Sequence, residues 1–429
     1  MSMTGGRTYF FVLGTNHTLS KIDIVNMLQK WEVGFEIVAA SEELLIIQTE
    51  TEIETESLMA ELGSAAKMGE IFNIYPAESF PDNFLAEVAQ EEFRKFFLPS
   101  GRENPRFGIS VYGAGGKFKD LNQTFFIVPK ILREIKDRLG EKGVAVNYLS
   151  LKERELSSVL VDQRGLLTKG FELVLGVGEK EIFVGKTLAV QDYEGYSARD
   201  YGRPARDPRS GMIPPKLAKM MVNLAMKDKT SLMLDPFCGS GTMLQEMALL
   251  GYRRLIGSDS SEKSVRDTQT NLDWLFSKFK LKKTDIEIKL MQVDVARLSS
   301  VVSFKTVSAI VTEPYLGSPR AKSFHLGQIE NEISKLGKLY LTAFDEFRKV
   351  LRGDGVVVMI FPVFRFKGQF YHLEILDRVK ELGFVTRSFL TKEVPGANLL
   401  KLQITKRNSV IFFRPGQTVS REIFVFVRE

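Results

Sequence analysis

Short apolar runs recur along the second half of the chain, separated by helix-length stretches with regularly spaced apolar residues. Several of these runs end in an acidic residue. A short apolar run bounded by glycine, proline or an acid predicts a buried strand, and strands alternating with helices predict a parallel, doubly wound α/β sheet. The predicted strands are residues 232–235, 254–259, 287–294, 308–317 and 355–362. Ligands of such sheets bind beside the carboxyl ends of the strands.

The first half of the chain has an α+β pattern. Residues 1–50 predict a strand, a helix and two further strands, and helical spacing follows at 54–62 and 84–97. Residues 192–215 are rich in proline, glycine and arginine, which predicts a linker with little regular structure. A Pro-Pro pair then introduces an amphipathic helix at 216–226.

The turn after the first strand of the second half carries the most informative residues. Asp235 ends this strand, and Gly239 and Gly241 follow in a turn that opens a helix. Glycines let the backbone bend sharply and approach a ligand closely. A dinucleotide-binding turn has a third glycine where this chain has Leu244, and a carboxylate at the turn entrance would repel pyrophosphate. The same carboxylate suits a ligand with a sulfonium and an ammonium group, so the turn favours S-adenosylmethionine.

Acidic residues at the ends of the next two strands extend this candidate cofactor site. Asp259 is placed to accept hydrogen bonds from both hydroxyls of a ribose, and Asp294 lies where the adenine side is expected. Phe237, in the turn, joins the residues above as a candidate cofactor contact. Each acid also has an ordinary structural explanation, as a turn cap, a helix cap or a strand-end residue.

Composition narrows the class of protein. The chain has 429 residues, 44% hydrophobic and 26% charged, which is typical of two or three globular domains. Its net charge of +6 permits a polyanionic partner without requiring one. One cysteine and three histidines argue against a disulfide or a zinc cluster, so no metal is expected. The sequence has neither a signal peptide pattern nor a membrane-length apolar run, which predicts a cytoplasmic protein.

Three segments carry resemblances to known methyltransferases. The sequence D-P-F-C-G-S-G-T at 235–242, with an acid-Pro-aromatic sequence at 313–315, resembles the amino-directed, S-adenosylmethionine-dependent methyltransferases of DNA and RNA. Residues 196–225 resemble the segment before the methyltransferase domain in archaeal and eukaryotic tRNA guanosine N2-methyltransferases, which act at position ten. The resemblance implies methyl transfer from S-adenosylmethionine to the exocyclic N2 amine of a guanosine in tRNA.

The resemblance also implies a domain order. The implied parts are a ferredoxin-like domain at 1–60, a THUMP-like RNA-binding domain at 61–190, a linker at 191–215 and a Rossmann-like methyltransferase domain at 216–429. A THUMP-like region favours RNA over the alternative of a DNA amino-methyltransferase. Some relatives use a small activating protein subunit, and the apolar stretches 411–413 and 423–427 suit either internal packing or contact with such a partner.

One motif departs from the family pattern. The family usually has Asp-Pro-Pro-Tyr after the fourth strand, where this chain has Glu313, Pro314 and Tyr315. Methylation of an exocyclic amine needs acceptors for its N–H protons, so the Glu313 carboxylate and the Pro314 carbonyl are candidate catalytic groups, and Tyr315 can stack on the base. The extra methylene of glutamate shifts the carboxylate, and misplacement by about 1 Å can lower a rate about a hundredfold. A non-catalytic RNA-binding protein that retains the fold is therefore the alternative hypothesis.

Basic residues near aromatic side chains are candidate RNA contacts. In the linker these residues are Arg199, Arg203, Arg206 and Arg209. They can instead pair with acidic neighbours and brace the domain junction. Arg365 and Lys367 follow the fifth strand among phenylalanines and are predicted to form a rim for RNA.

Overall fold

The computed structural model describes residues 6–99, 104–150, 152–206, 212–318, 325–413, 417 and 419–429. The chain forms two compact units. The N-terminal unit comprises Met1–Tyr193 and Lys392–Leu402, and the C-terminal unit comprises Glu194–Thr391 and Gln403–Glu429.

The N-terminal unit is built on one eight-stranded sheet with the order β2-β3-β1-β4-β8-β7-β5-β6. Its strands are β1 Arg7–Leu13, β2 Phe35–Ala40, β3 Leu44–Thr49, β4 Ala65–Pro76, β5 Arg106–Gly113, β6 Asn147–Tyr148, β7 Gly170–Val177 and β8 Glu181–Val190. Most neighbouring strands are antiparallel, and β5 is parallel to both β6 and β7. The predicted strand-helix-strand-strand pattern of residues 1–50 is confirmed.

Among the described residues of this unit, six α-helices accompany the sheet. They are α1 His17–Lys30, α2 Thr55–Glu61, α3 Asp82–Glu87, α4 Glu91–Phe97, α5 Phe118–Glu141 and α6 Ser158–Gln163. The helical stretch predicted at 84–97 is therefore two short helices. Their aromatic residues pack against the sheet, since Phe97 of α4 lies 5.3 Å from Phe171 of β7 between ring centroids.

The structure divides the chain differently from the predicted domain order. The predicted boundary at residue 60 lies within the N-terminal unit, because β4 pairs with both β1 and β8. The segment Lys392–Leu402, predicted to lie in the methyltransferase domain, belongs to the N-terminal unit. There the Ile37 N–H of β2 donates a hydrogen bond to the Pro395 carbonyl at 3.0 Å.

The C-terminal unit contains a nine-stranded sheet with the main order β11-β10-β9-β12-β13-β17-β15. Its strands are β9 Leu232–Asp235, β10 Arg254–Asp259, β11 Glu287–Gln292, β12 Val307–Thr312, β13 Leu351–Phe366, β14 Gln369–Tyr371, β15 Phe384–Thr386, β16 Val410–Phe412 and β17 Val419–Arg428. Strands β9 to β13 run parallel, whereas β17 is antiparallel to β13. The predicted doubly wound sheet is confirmed. Strand order reverses between β9 and β12, and a reversal of this kind opens a crevice at the carboxyl ends.

Of the described helices of this unit, two precede its first strand and the others lie between strands. They are α7 Tyr193–Ser197, which begins at the unit boundary, α8 Pro215–Leu224, α9 Thr242–Leu249, α10 Glu262–Lys278, α11 Leu326–Val350 and α12 Leu376–Glu381. The linker was predicted to have little regular structure, but it is helical from Tyr193 through a π-helical turn at Ala198–Gly202. Within the described part of the chain, none of the helices combines the length and apolar character that crossing a membrane requires.

Candidate active site

The turn between β9 and α9 has the backbone geometry that its glycines predict. Gly239 and Gly241 have φ values of 53° and 83°, in the left-handed region that disfavours other residues. A Cβ atom on Gly241 would also lie 2.9 Å from the Thr268 side chain of α10. Gly241 therefore shapes the turn.

Leu244 occupies the position where a dinucleotide-binding turn has its third glycine, and its side chain packs against β10. Leu244 of α9 is fully buried, and its Cδ1 lies 2.4 Å from where a Cβ on Gly257 of β10 would be. Helix and strand thus meet through a leucine side chain against a glycine backbone. This packing differs from the G-x-G-x-x-G turn of dinucleotide-binding proteins.

Asp235 is a buried carboxylate at the end of β9, with 3% of the residue exposed. The Thr312 hydroxyl donates a hydrogen bond to its Oδ1 at 2.6 Å, and the Phe237 N–H donates to the same atom at 3.2 Å. Burial raises the pKa of Asp235 to about 7. The two hydrogen bonds lower it and the charges of Asp259 and Glu313 raise it. A cationic ligand near this carboxylate would favour its charged form.

Two further acids are fixed by backbone hydrogen bonds. One oxygen of Asp259 accepts from the Gly239 N–H at 3.0 Å, and the other accepts from the Ser261 N–H at 2.9 Å. Asp294 accepts from the Ala296 N–H at 2.9 Å, which caps the turn after β11. The structural explanations considered for both acids are therefore present. Each carboxylate oxygen also has a second lone pair with which to accept from a ligand.

A cleft of about 690 Å³ lies at the carboxyl ends of the parallel strands. The predicted site residues that line it are Asp235, Phe237, Gly239, Asp259, Asp294, Glu313, Pro314 and Tyr315. Its volume is typical of a small-molecule site, about 300 to 1,000 Å³. The residues present fit S-adenosylmethionine, because a buried acid faces the cleft for a cationic group and a second acid is held for a diol.

Glu313 follows β12 and forms an ion pair that the sequence analysis missed. Arg421 of β17 donates from Nε to Oε1 at 2.5 Å and from Nη2 to Oε2 at 3.5 Å. The two side chains are 11% and 5% exposed. Burial raises the pKa of Glu313, and Arg421 opposes that shift. The sequence offers only a general signal for this pair, because a strand-end acid in a buried site needs a cation or hydrogen-bond donors but does not identify the residue that supplies them.

The rest of the fourth-strand motif is anchored by α11. Pro314 is buried, and the carbonyl of Tyr315 accepts a hydrogen bond from the Tyr340 hydroxyl at 3.2 Å. The Ser318 N–H donates to Glu332 Oε1 at 3.0 Å. Tyr315 itself is 54% exposed, so its ring borders the cleft with a free face.

Two of the linker arginines predicted to contact RNA are buried and bonded within the protein. Arg199 is 3% exposed and forms an ion pair with Glu246 of α9 at 2.6 Å, with its guanidinium 4.5 Å from the Tyr196 ring centroid. Arg203 is also 3% exposed and donates to the Thr242 hydroxyl at 2.5 Å. A phosphate cannot reach guanidinium groups so enclosed without displacing these partners. The alternative of a structural role is closer to these contacts, although Arg199 pairs with Glu246 of α9 and not with an acid of the linker.

The other predicted RNA contacts lie elsewhere. Arg206 is exposed with its guanidinium 5.4 Å from the ring centroid of Tyr201, whereas Arg209 lies outside the described residues. Arg365 and Lys367 are exposed at the hairpin between β13 and β14, and Phe370 beside them is 53% exposed. This basic and aromatic hairpin extends from the carboxyl end of β13.

Among the residues with described positions, no group of three or more histidine, cysteine, aspartate or glutamate side chains is arranged to hold a metal ion. Of the apolar stretches considered for a partner, 423–426 is buried within β17, whereas Phe413 after β16 is 41% exposed.

Comparison with known proteins places the chain among methyltransferases. The model of the UPF0020 family, described as an RMKL-like methyltransferase domain, matches residues 203–389. Over its whole length the fold is similar to the crystal structure of TrmN from Thermus thermophilus, with a TM-score of 0.55 and 15% identity, covering 98% of this chain and 100% of that one.

The names of similar curated proteins indicate a narrower family than the domain match does. The chain is 27% identical over 278 residues to a tRNA (guanine(10)-N2)-dimethyltransferase of Methanocaldococcus jannaschii, covering 61% of this chain and 73% of the relative. It is 35% identical over 145 residues to a "Probable tRNA (guanine(10)-N2)-dimethyltransferase" of Methanothermococcus thermolithotrophicus, covering 33% of this chain and 77% of the relative. The chain therefore belongs to the family of the tRNA (guanine(10)-N2)-dimethyltransferases.

Proposed function

We propose that this protein transfers methyl groups from S-adenosylmethionine to the exocyclic N2 amine of a guanosine in tRNA. The observation that carries the proposal is that Glu313 lines the same cleft as Asp235 and Asp259. An acceptor for the amine protons and the candidate cofactor acids thus border one space. Family membership supports tRNA as the substrate, and the names of the relatives support two successive transfers.

On the cofactor side, S-adenosylmethionine supplies an activated methyl group on a positively charged sulfur. Asp235 offers a negative charge in a buried place where water screens it little, so it attracts the cationic end of the ligand. Asp259, fixed by two backbone N–H groups, accepts from the ribose hydroxyls. Asp294 borders the adenine side, and the Gly239 turn lets the backbone approach the ligand.

On the substrate side, the Glu313 carboxylate and the Pro314 carbonyl accept from the N–H groups of the guanine. The N2 amine is conjugated with the ring, so hydrogen bonds that draw on its protons direct the lone pair toward the methyl group. Guanine also presents an N1–H beside the amine, and a two-oxygen carboxylate suits two adjacent donors. The exposed ring of Tyr315 stacks on the extruded base.

Contacts with the tRNA backbone are assigned to exposed cations near aromatic rings. In the C-terminal unit these are Arg365 and Lys367 of the hairpin and Arg206 beside Tyr201. They offer charge for phosphates and flat faces for bases.

The N-terminal unit is proposed to act as the THUMP-like RNA-binding part. On α5, Phe126 is 85% exposed, and Lys119, Lys130 and Arg133 are also exposed. Spacings of three, four and seven residues place these side chains on one helix face. A face with an exposed aromatic ring among cations suits unpaired RNA better than a protein core.

Mass spectrometry of tRNA nucleosides from cells with and without this protein tests the proposal. We expect loss of N2-methylated guanosine from tRNA without the protein, and its return with the wild-type gene but not with Glu313→Gln. Unchanged methylguanosine would reject the proposed substrate. A methylated base lost from ribosomal RNA or DNA instead would identify another substrate.

Methyl transfer assays with the purified protein test whether an activating subunit is needed and whether the protein is catalytic at all. Methyl transfer to tRNA by the chain alone would make an activating subunit unnecessary, whereas transfer that requires a cell extract would support one, with Phe413 as a candidate contact. Tight cofactor binding without transfer under either condition would favour the non-catalytic RNA-binding hypothesis. A role in tRNA modification agrees with the cytoplasmic location that the sequence predicts.

A further inference from the structure

Arg421 reaches the fourth-strand motif from a strand far away in the sequence. It lies on β17, which is antiparallel to β13, and its register partner there is Pro362. Its Nε and Nη2 face the two oxygens of Glu313 at 2.5 and 3.5 Å, and its Nη1 lies 3.5 Å from Gln417 Oε1. The arginine side chain is 5% exposed and borders the cleft.

We propose that Arg421 is a positioning residue for methyl transfer, holding the Glu313 carboxylate ionised and in one orientation toward the target amine. This inference rests on the proposed function, in which Glu313 accepts from that amine. It explains how the longer glutamate can serve where the family motif has aspartate.

The first argument concerns orientation. Glutamate has one more rotatable bond than aspartate, so its carboxylate is less fixed by the backbone. A guanidinium that contacts both oxygens removes much of that freedom, because its donors form a rigid fork. One lone pair on each oxygen then faces Arg421, and the second is available to an N–H of the base.

The second argument concerns charge. Among the described residues, the titratable groups that interact electrostatically with Glu313 are Arg421 from β17, the Tyr340 hydroxyl from α11 and the Asp235 carboxylate from β9. Burial and a second acid both disfavour the charged form of Glu313, and the guanidinium favours it. Without this cation, Glu313 would carry a proton at a higher pH and would accept less strongly from the amine.

The experiment measures kcat against pH, from about 5.5 to 9, for the full-length protein with tRNA and S-adenosylmethionine. The variants are Arg421→Gln, Arg421→Lys and the matched control Arg428→Gln, which removes another arginine of β17. Arg428 donates to the carbonyls of Arg348 and Leu351, away from the cleft. Cofactor affinity by calorimetry checks that each variant is folded.

We expect Arg421→Gln to lower kcat about 100-fold at pH 7, with the acid limb of the profile moved up by roughly one pH unit or more. Arg421→Lys should recover about tenfold of this loss, since a cation remains without the fork. The cofactor dissociation constant should stay within about threefold, and Arg428→Gln should follow the wild type.

Three results would overturn the inference. In the first, Arg421→Gln is as active as the wild type. In the second, its loss is the same at every pH and Arg421→Lys is no better, as a purely structural role would give. In the third, the carbon-13 carboxyl signal of Glu313 titrates identically in the wild type and in Arg421→Gln, a readout that needs no activity. Failure of the proposed function is distinct, because the wild type itself would then transfer no methyl group to RNA.

Discussion

The Thr312 hydroxyl donates a hydrogen bond of 2.6 Å to the carboxylate of Asp235, and this contact joins the ends of β12 and β9 at the point where strand order reverses. Thr312 is fully buried and Asp235 nearly so. The bond favours the charged form of an acid whose burial raises its pKa to about 7. The negative charge of Asp235, which would attract the cofactor, therefore depends on Thr312, the residue directly before the catalytic candidate Glu313.

Replacing this hydroxyl should weaken cofactor binding. In Thr312→Val the hydrogen bond to a charged group is lost, worth about 1.5 to 3 kcal/mol, so the dissociation constant for S-adenosylmethionine should rise about 10- to 100-fold at pH 7. Thr312→Ser keeps the hydroxyl and should bind within about threefold of the wild type. Calorimetric titration measures both, and equal affinities for the valine and serine variants would remove this role from Thr312.

The buried charge should also appear in the stability of the ligand-free protein. The pKa of Asp235 is raised on folding from 3.8 to about 7, so its favourable contribution is complete below pH 3.8 and is lost as pH rises toward 7. Asp235→Asn should therefore gain free energy of unfolding relative to the wild type between pH 5 and pH 8, by up to about 3 kcal/mol. Denaturant unfolding at both pH values measures the difference. A constant difference would contradict the raised pKa.

Cofactor affinity should show the complementary pH dependence. As pH falls below about 7, Asp235 takes up a proton and its attraction for a cationic ligand decreases. The wild-type dissociation constant should rise roughly tenfold per pH unit well below the pKa. In Asp235→Asn, binding should be weak at every pH, and a pH slope that persists in this variant would point to another group.

Arg199 should matter for stability and not directly for RNA. Arg199→Ala leaves Glu246 buried without its ion-pair partner, which costs about 3 to 5 kcal/mol of unfolding free energy. Arg206→Ala, at an exposed site of the same segment, should change stability by less than about 0.5 kcal/mol. Chemical denaturation separates the two variants. Weaker RNA binding by a fully stable Arg199→Ala would restore the original prediction for this residue.

The hairpin between β13 and β14 should contribute to RNA affinity. Removing both cations in Arg365→Ala/Lys367→Ala should weaken tRNA binding and lower the slope of log affinity against log salt by roughly 2. The matched control Lys278→Ala/Lys282→Ala removes two exposed lysines from another surface and should leave the slope unchanged. Equal effects of both pairs would indicate only a loss of overall charge.

The sequence was sufficient for the features that depend on local chemistry. A left-handed turn requires glycine, so Gly239 and Gly241 located the β9–α9 turn. Strand-end acids predicted the positions of Asp259 and Asp294 because parallel strands end at one edge. Each of these inferences needed only the residues of one strand and of the turn that follows it.

Local sequence patterns could not predict contacts between residues that are far apart in the sequence. Glu313 and Arg421 are 108 residues apart in the sequence, and strands β13 to β16 lie between them. The sequence did not predict the burial of Arg199. Its partner Glu246 lies on α9, whose buried face also carries polar residues, so the hydrophobic pattern does not show that Glu246 is buried. The segment Lys392–Leu402 joined the N-terminal unit through contacts with β2 that no periodicity reveals.

The most direct test of the central claim is single-turnover methyl transfer to tRNA by the wild type and Glu313→Gln, with cofactor affinity measured on the same samples. Glu330→Gln, an exposed carboxylate of α11, is the matched control. We predict that Glu313→Gln lowers the rate of N2-methylguanosine formation about 100-fold or more and keeps the cofactor dissociation constant within about threefold. Transfer by Glu313→Gln at the rate of the wild type and the control would contradict the account.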